Sequence, residues 1–207
     1  MPQAFLEIAV TPAVRAMQQG RHVEPVRNRD EQARDRFTEF ESAFIRARDS
    51  FFLATVSETG WPYVQHRGGP PGFLKQIDDR TLAFADYRGN RQYISAGNAA
   101  KNGRASLLLL DYARPARLKA YVHVELIVPG ADPDLDRLVR DRDYRAIPER
   151  IFRLRLQAFD WNCPQHITPR FSEREIAESI RPLQERLQAL ESENARLRAR
   201  LTNRGPQ

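Results

Sequence analysis

The spacing of apolar residues changes near residue 50, from a helical period to a strand-like one. Phe37, Phe40 and Phe44 recur at helical spacing and predict a helix over residues 31–48. Residues 51–56 form a short run rich in aromatic and aliphatic side chains, and the polar turn 57–60 ends it. Residues 61–67 predict the returning strand, with a proline at its start, so the two runs indicate a β-hairpin.

Further short apolar runs follow at spacings typical of hairpins. They predict strands over residues 73–77, 81–85, 106–110, 118–128 and 151–161. Short helices are predicted over about 92–100 and 132–142. Consecutive hairpins with few helices favour an antiparallel barrel of about six strands over a parallel, doubly wound sheet. The predicted class is mainly β (α+β).

The C-terminal segment has a seven-residue period. Ser172 and Glu175 form a capping-box pattern at its start. Apolar residues then alternate at spacings of four and three through Leu201, with Asn194 at an a position, as in parallel two-stranded coiled coils. Pro182 predicts a kink or a restart. The alternative is a single amphipathic helix packed on its own domain.

These patterns divide the 207 residues into three parts. Residues 1–30 form a lead-in with weak periodicity, residues 31–170 a barrel domain, and residues 171–207 the amphipathic, coiled-coil-like helix. No run of about eighteen apolar residues occurs, which excludes a predicted membrane span. No apolar signal-peptide core is found near the start, so we expect a soluble, cytoplasmic protein.

The basic residues are mostly arginine. The 33 basic residues include three lysines, and the formal net charge is +6. Arginine suits a phosphorylated ligand, but a genome that favours arginine codons explains the bias equally well. No basic stripe stands out, and acidic residues interrupt residues 170–181, where a zipper-type DNA-binding protein needs a basic helix. We therefore expect no nucleic-acid partner.

Few residues carry a recognisable catalytic or metal motif. The sequence has no dinucleotide-binding glycine motif, no phosphate-binding loop ending in Gly-Lys-Ser/Thr, and no His-Glu-x-x-His. Cys163 and His166 would suit half a metal site or a thiolate–imidazolium pair. Ordinary packing is the favoured reading, and no metal is expected. A single cysteine also excludes an internal disulfide.

A more promising group of polar residues joins the ends of two predicted elements. Gln65, His66 and Arg67 end one strand, while Arg91 and Gln92 begin a short helix. A helix N-terminus with an arginine beside it suits a phosphate monoester. The alternative is that Arg91 only caps or solvates its loop.

Three stretches in this order resemble the pyridoxamine 5'-phosphate oxidase family: residues 52–64, 82–92 and 102–110. The likeness extends over about residues 35–165. It implies a six-stranded antiparallel split β-barrel with peripheral helices, and FMN bound at a homodimer interface.

The resemblance also implies cofactor-binding residues. In chain order they are Gln65, His66, Arg67, Gly68, Lys75, Phe84, Ala85, Arg91, Gln92, Trp161 and Gln165. Arg91 matches a phosphate ligand, and Trp161 matches a tryptophan that the partner subunit places over the flavin. Phe84 and Ala85 match a strand end whose backbone touches the cofactor.

The chain departs from the family pattern at its end. Residues 160–171 replace the usual ending, and no counterpart of the residues that hold pyridoxal phosphate is found. The expected function is therefore an FMN-dependent oxidoreductase with an unassigned substrate and no assigned catalytic residue, in which His66 or His166 would tune the flavin or move a proton. The alternative is a flavin-binding sensor or carrier without turnover.

Overall fold

The computed structural model describes residues 5–19, 35–141, 143–162 and 165–202. The chain forms two compact units. The first contains the sheet and runs to residue 167, apart from residues 112–114; the second contains those three residues and the chain from residue 168 onward. The predicted division at residues 30 and 170 stays a prediction.

Seven strands within the described residues form one sheet. They are β1 (Ser50–Val56), β2 (Pro62–Gly68), β3 (Lys75–Gln76), β4 (Thr81–Tyr87), β5 (Arg104–Asp111), β6 (Ala116–Ile127) and β7 (Pro148–Asn162). The strand order is β2-β1-β5-β6-β7-β4-β3, and every pair is antiparallel. The predicted antiparallel class is confirmed, and so is the first hairpin, in which Leu53 pairs with Gln65.

The prediction of a six-stranded barrel is wrong in two respects. The sheet has seven strands in the described residues, because the predicted run 73–77 forms the two-residue edge strand β3, which pairs with β4. The sheet is also open: β2 and β3 are its two edges, and no ladder joins them among the described residues. The sequence pattern predicts strands but not whether the first and last of them pair, because pairing depends on how the sheet curves.

The larger of two apolar clusters lies on one face of this sheet. Along β5 the residues alternate between buried and partly exposed, as the two-residue period of a strand requires. Leu53, Leu107, Leu118 and Leu154 are fully buried and belong to one cluster. A second, smaller cluster contains Ala85 and Ile151.

Five short helices accompany the sheet in the described part of the first unit. They are α1 (Phe5–Ala9), α2 (Pro12–Gln18), α3 (Glu39–Arg46), α4 (Ile94–Lys101) and α5 (Pro133–Val139). Helix α3 begins later than the predicted residue 31, because Thr38 and Glu41 form a capping box that fixes its start; residues 31–34 lie outside the described residues. Phe37 precedes this helix and is buried, while Phe40 is exposed.

Helix α6 (Glu173–Thr202) is the main element of the second unit. Ser172 and Glu175 form the predicted capping box: the Ser172 backbone N–H donates to the carboxylate, and the Glu175 N–H donates to the serine hydroxyl. Pro182 lies inside the helix and does not end it. None of the helices in the described segments has the length and apolar character needed to cross a membrane.

Candidate functional site

A polar cavity of about 180 Å³ lies between β2, β4 and the loop that leads into α4. Its lining includes Gln65, Arg67, Asp86, Asn90, Arg91 and Glu149. Three of these belong to the eleven residues that sequence analysis selected. The open edge of the sheet therefore brings the two predicted polar groups together.

The loop before α4 has an unusual backbone. Arg91 and Tyr93 have φ values of 59° and 54°, in the left-handed region that side chains other than glycine seldom adopt. The Gln92 N–H donates to the Asn90 side-chain oxygen at 3.1 Å, which stabilises the turn. The result is a sharply bent loop that presents the Arg91 side chain beside the cavity.

The first turn of α4 has no side-chain cap at Tyr93. The first amide groups of a helix lack intrahelical acceptors and carry partial positive charge, so an anion is favoured there. Ser95 and Ala96 of this turn line the cavity. The buried Ser95 hydroxyl lies 2.9 Å from the Gln65 side-chain oxygen and donates to it, which ties β2 to α4.

A buried ion pair connects β2 to β4 across the open edge. The Arg67 Nη1 atom lies 2.5 Å from Asp86 Oδ1, with 14% and 9% of the two side chains exposed. Arg150 of β7 lies 3.6 Å from the other Asp86 oxygen. Burial raises the pKa of Asp86 above its ordinary value, and the charges of Arg67 and Arg150 oppose this shift.

Glu149 is the second carboxylate of the cavity. It accepts a hydrogen bond from Arg88 Nε at 3.0 Å and lies 3.8 Å from Arg150. Burial acts to raise the pKa of Glu149, but hydrogen bonds from Arg88 and Tyr93 and the nearby positive charges lower it below the ordinary value. Glu149 is therefore ionised at neutral pH.

Arg91 differs from the other arginines of this region. Its side chain is exposed, and within the described segments it makes no hydrogen bond or ion pair. Arg67 and Arg91 line the cavity with Asp86 and Glu149, and Arg88 and Arg150 pair with these carboxylates from outside the lining, so the cluster contains two more basic groups than acidic ones. This surplus is suited to an anion with two negative charges.

The remaining predicted residues of β2 and β4 do not project into the cavity. His66 is exposed on the face of β2 opposite to Gln65 and Arg67, because side chains alternate along a strand. Gly68 ends β2 opposite Ser50. Phe84 and Ala85 are buried in the two apolar clusters, so only their backbones are left to meet a ligand.

Lys75 and Gln92 lie elsewhere. Lys75 lines a larger hollow of about 600 Å³, which it shares with Arg46 and Asp79. Gln92 is exposed in the bent loop, and its side chain meets that of Asn90. The proposed roles of both residues toward a cofactor stay predictions.

Trp161 packs on α3 and is not part of the cavity lining. Its indole N–H donates to Glu41 at 2.8 Å, and its ring meets Phe44 edge-on at 4.7 Å. Gln165 and His166 are exposed, and His166 has a φ of 65°. Cys163 lies outside the described residues. Among the residues that the structure describes, no group of histidine, cysteine and carboxylate side chains is arranged to hold a metal.

Asp86, Ser95, Glu149 and Arg150 are among the residues of the site that were not selected from the sequence. Asp86 directly precedes the polar loop of residues 87–91. An acidic residue at a strand end close to Arg88 and Arg91 in the sequence could have indicated an ion pair in the site. Glu149 and Arg150 begin β7, which pairs with β4 through contacts more than sixty residues apart in the chain. Nothing local in the sequence indicates that pairing.

The Glu41 carboxylate leads to a pH-dependent prediction. Burial acts to raise its pKa, but hydrogen bonds from Thr38 and Trp161 lower it below the ordinary value. We expect Glu41 to stabilise the fold fully above its unfolded-state pKa of about 4.3 and to lose this contribution as pH falls through the lower folded-state pKa. Chemical denaturation of the wild type and Glu41→Gln, from neutral pH to about pH 3, measures the difference.

The control for this experiment is Glu39→Gln, which changes an exposed glutamate of the same helix. The difference in free energy of unfolding between the wild type and Glu41→Gln should decrease as the pH falls. If this difference in free energy of unfolding stays the same down to the lowest pH, the charge of the Glu41 carboxylate does not contribute to stability.

The fold and the cavity define a class of protein: a mainly antiparallel α+β protein with an arginine-rich cavity at the open edge of its sheet. Residues 37–157, more than half of the chain, match the model of the pyridoxamine 5'-phosphate oxidase family. The chain belongs to the pyridoxamine 5'-phosphate oxidase family. This confirms the resemblance found in the sequence.

Solved structures with a similar fold are distant in sequence. HupZ from Group A Streptococcus is 16% identical, with a TM-score of 0.49 over 65% of this chain and 99% of that protein. An FMN-binding protein from Syntrophomonas wolfei is 16% identical, with a TM-score of 0.40 over 60% and 90%. An F420 reductase is 18% identical, with a TM-score of 0.42 over 57% and 94%. No curated protein sequence matches the chain significantly.

Proposed function

We propose that the protein is a homodimeric, FMN-dependent oxidoreductase whose cavity holds the phosphate of the flavin. Family membership supports a flavin-related function. The observation that carries the proposal is the excess of basic groups in and beside the cavity, together with Arg91, which has no ion-pair partner among the described residues. A phosphate monoester carries about −1.5 to −2 charges at neutral pH, which matches the surplus of two positive charges.

The residues present fit the phosphate end of FMN. Arg91 would donate charge-assisted hydrogen bonds to the phosphate, and the uncapped first turn of α4 would add backbone N–H donors. The Arg67–Asp86 pair and the Ser95–Gln65 hydrogen bond hold the cavity walls in place. Glu149 engages Arg88 and Arg150, and Asp86 engages Arg67, so Arg91 is the lining cation without an ion-pair partner among the described residues.

The size of the cavity supports a second subunit in the complete site. Its volume is about 180 Å³. Pockets that enclose a drug-sized ligand have volumes of about 300–1,000 Å³, so this cavity is too small for a whole flavin nucleotide. Trp61, directly before the edge strand β2, and Val64, within it, are 75% and 60% exposed, and Val64 lies on the same face of β2 as His66. Apolar side chains at an exposed sheet edge suit coverage by another chain. We propose that a partner subunit covers this edge of the sheet and that the flavin ring lies between β2 and that subunit.

When bound, FMN would supply hydride transfer at its ring. The residues of this chain would bind its phosphate, fix its orientation and, through the partner subunit, exclude water from the ring. No side chain of the described cavity is needed as a nucleophile. The substrate and the electron donor are left open, because nothing in the cavity selects them.

The absorption spectrum of the purified protein tests the cofactor. We expect flavin bands, release of the chromophore by heat, and the mass of FMN for the released compound. Released F420 or FAD would contradict the FMN assignment, and a colourless protein that gains no flavin bands on addition of FMN would overturn the proposal. Light scattering on the same sample should give the mass of a dimer.

Reduction of the bound flavin separates an enzyme from a carrier. We expect NADH or NADPH to bleach the flavin bands and air to restore them. A bound flavin that neither nicotinamide reduces would favour the second candidate, a flavin-binding sensor or carrier.

Replacing Cys163 with serine tests a thiol role. We expect Cys163→Ser to keep bound flavin and its rate of reduction, because hydride transfer to a flavin requires no thiol. Flavin content and bleaching rate, compared with the wild type, measure this. A variant that binds FMN but is no longer reduced would assign Cys163, with His166, a catalytic role.

A further inference from the structure

Helix α6 carries an exposed apolar stripe. The stripe, named here the α6 seam, consists of Ile180, Leu183, Leu187, Leu190, Asn194 and Leu197. The exposed fractions of its apolar members run from 40% at Ile180 to 71% at Leu183. These residues alternate at spacings of three and four, so they lie on one side of the helix. Such a stripe on a 30-residue helix is typical of a surface that another helix covers.

The charged residues beside the seam select the partner. Arg186 and Glu193 occupy g positions, while Glu191 and Arg198 occupy e positions. In two parallel helices in register, each g residue faces the e residue five positions later in the other chain. Arg186 then meets Glu191 of a second copy, and Glu193 meets Arg198. Both pairs have opposite charges, and symmetry forms each of them twice.

Asn194 fixes the direction. In a parallel, in-register pair the two Asn194 side chains face each other across the seam and share hydrogen bonds. In the antiparallel alignment that centres the seam, Asn194 instead faces Leu183 and loses a polar partner. The parallel arrangement is therefore the one that satisfies both the buried amide and the flanking charges.

We propose that α6 forms a parallel, two-stranded coiled coil with α6 of a second copy of this chain. The contact extends from Ile180 to at least Leu197. The proposal is independent of flavin binding, because it uses only residues of α6. It gives the second unit of the chain the role of joining two copies.

Disulfide cross-linking of the full chain tests the proposal. In a Cys163→Ser background, Asn194→Cys places one thiol on the seam, and Arg196→Cys places one at an outward c position. Facing a positions bring two Cβ atoms within disulfide reach, whereas c positions point apart. We expect mild oxidation to convert most Asn194→Cys chains into cross-linked dimers. Few Arg196→Cys chains should cross-link under the same conditions. Equal cross-linking of the two variants, or none at Asn194→Cys, would overturn the proposal.

The mixture of two single-cysteine variants distinguishes the direction. If Leu183→Cys and Asn194→Cys chains cross-link with each other more readily than Asn194→Cys does with itself, the helices are antiparallel and the proposal is wrong. Leu190→Glu, added to Asn194→Cys, should remove the cross-link, while Gln188→Glu outside the seam should leave it. Circular dichroism checks that each variant stays folded.

A charge reversal with rescue completes the test. Arg186→Glu sets like charges against Glu191 of the second copy and should lower the cross-linked fraction of Asn194→Cys. Adding Glu191→Arg to the same chain restores opposite charges and should restore the cross-link. Residues five positions apart do not face each other on one helix, so rescue requires contact between two chains. A double variant that cross-links no better than Arg186→Glu would overturn the assigned pairing.

Discussion

Replacing Arg67 with methionine is expected to lower the free energy of unfolding by about 3–5 kcal/mol at neutral pH, because it leaves Asp86 charged and buried with one partner fewer. Arg150, at 3.6 Å, remains near the carboxylate and keeps the loss toward the lower value. Urea denaturation of the wild type and Arg67→Met measures the difference.

The loss in Arg67→Met should depend on pH. The pKa of Asp86 is already raised by burial, and removing a positive neighbour raises it further. A carboxyl group with a raised folded-state pKa stabilises the fold most below its unfolded-state pKa of about 3.9, and this contribution is lost as pH rises through the folded-state pKa. The variant should therefore approach the wild type in acid.

Two variants serve as controls for Arg67→Met. Arg36→Met breaks an ion pair in which both side chains are exposed, so it should change stability little at any pH. Asp86→Asn added to Arg67→Met removes the buried charge and should recover part of the loss. If Arg67→Met proves as mild as Arg36→Met, the buried pair does not hold the open edge of the sheet.

Replacing Arg91 with alanine is expected to weaken FMN binding by about 1.5–3 kcal/mol, or roughly tenfold to 150-fold. The physical reason is the loss of charge-assisted hydrogen bonds to the phosphate. Titration of apo-protein with FMN, followed by flavin fluorescence, gives the affinities. Riboflavin lacks the phosphate, so the wild type and Arg91→Ala should bind it about equally.

Arg104→Ala is the matched control, since Arg104 is an exposed arginine at the start of β5, outside the cavity. It should bind FMN like the wild type. An equal loss in both variants would mean that general positive charge attracts the flavin. Unchanged binding in Arg91→Ala would remove Arg91 from the proposed site.

Local sequence patterns predicted the positions of the strands well, but they did not predict that the sheet stays open. The run 51–56 and its return strand appear as β1 and β2, because alternation and the turn at residues 57–60 are local signals. The strand predicted over residues 73–77 appears as the two-residue β3, which pairs with β4, so its existence was predicted but its length was not. Helix α5 was predicted from Leu135, Leu138 and Val139, of which Leu135 and Val139 are buried and Leu138 is 43% exposed.

The candidate site was predictable where it is local and unpredictable where it depends on pairing. Arg91 was found because it follows a strand and precedes a helix. Glu149 and Arg150 reach the cavity only because β7 pairs with β4. Trp161 was selected because its position matches the family pattern. That match did not indicate that its side chain packs on Glu41 of its own chain.

The position of β2 at the edge of the sheet has a consequence for motion. One ladder, to β1, holds its backbone, and the other side is held by side chains such as Arg67 and Ser95. A strand with a single ladder opens at lower free energy than a central strand. Amide hydrogens of β2 should therefore exchange with solvent sooner than those of β6, which lies between two ladders. Brief separation of β2 from β4 would widen the cavity and provide a path by which a ligand enters.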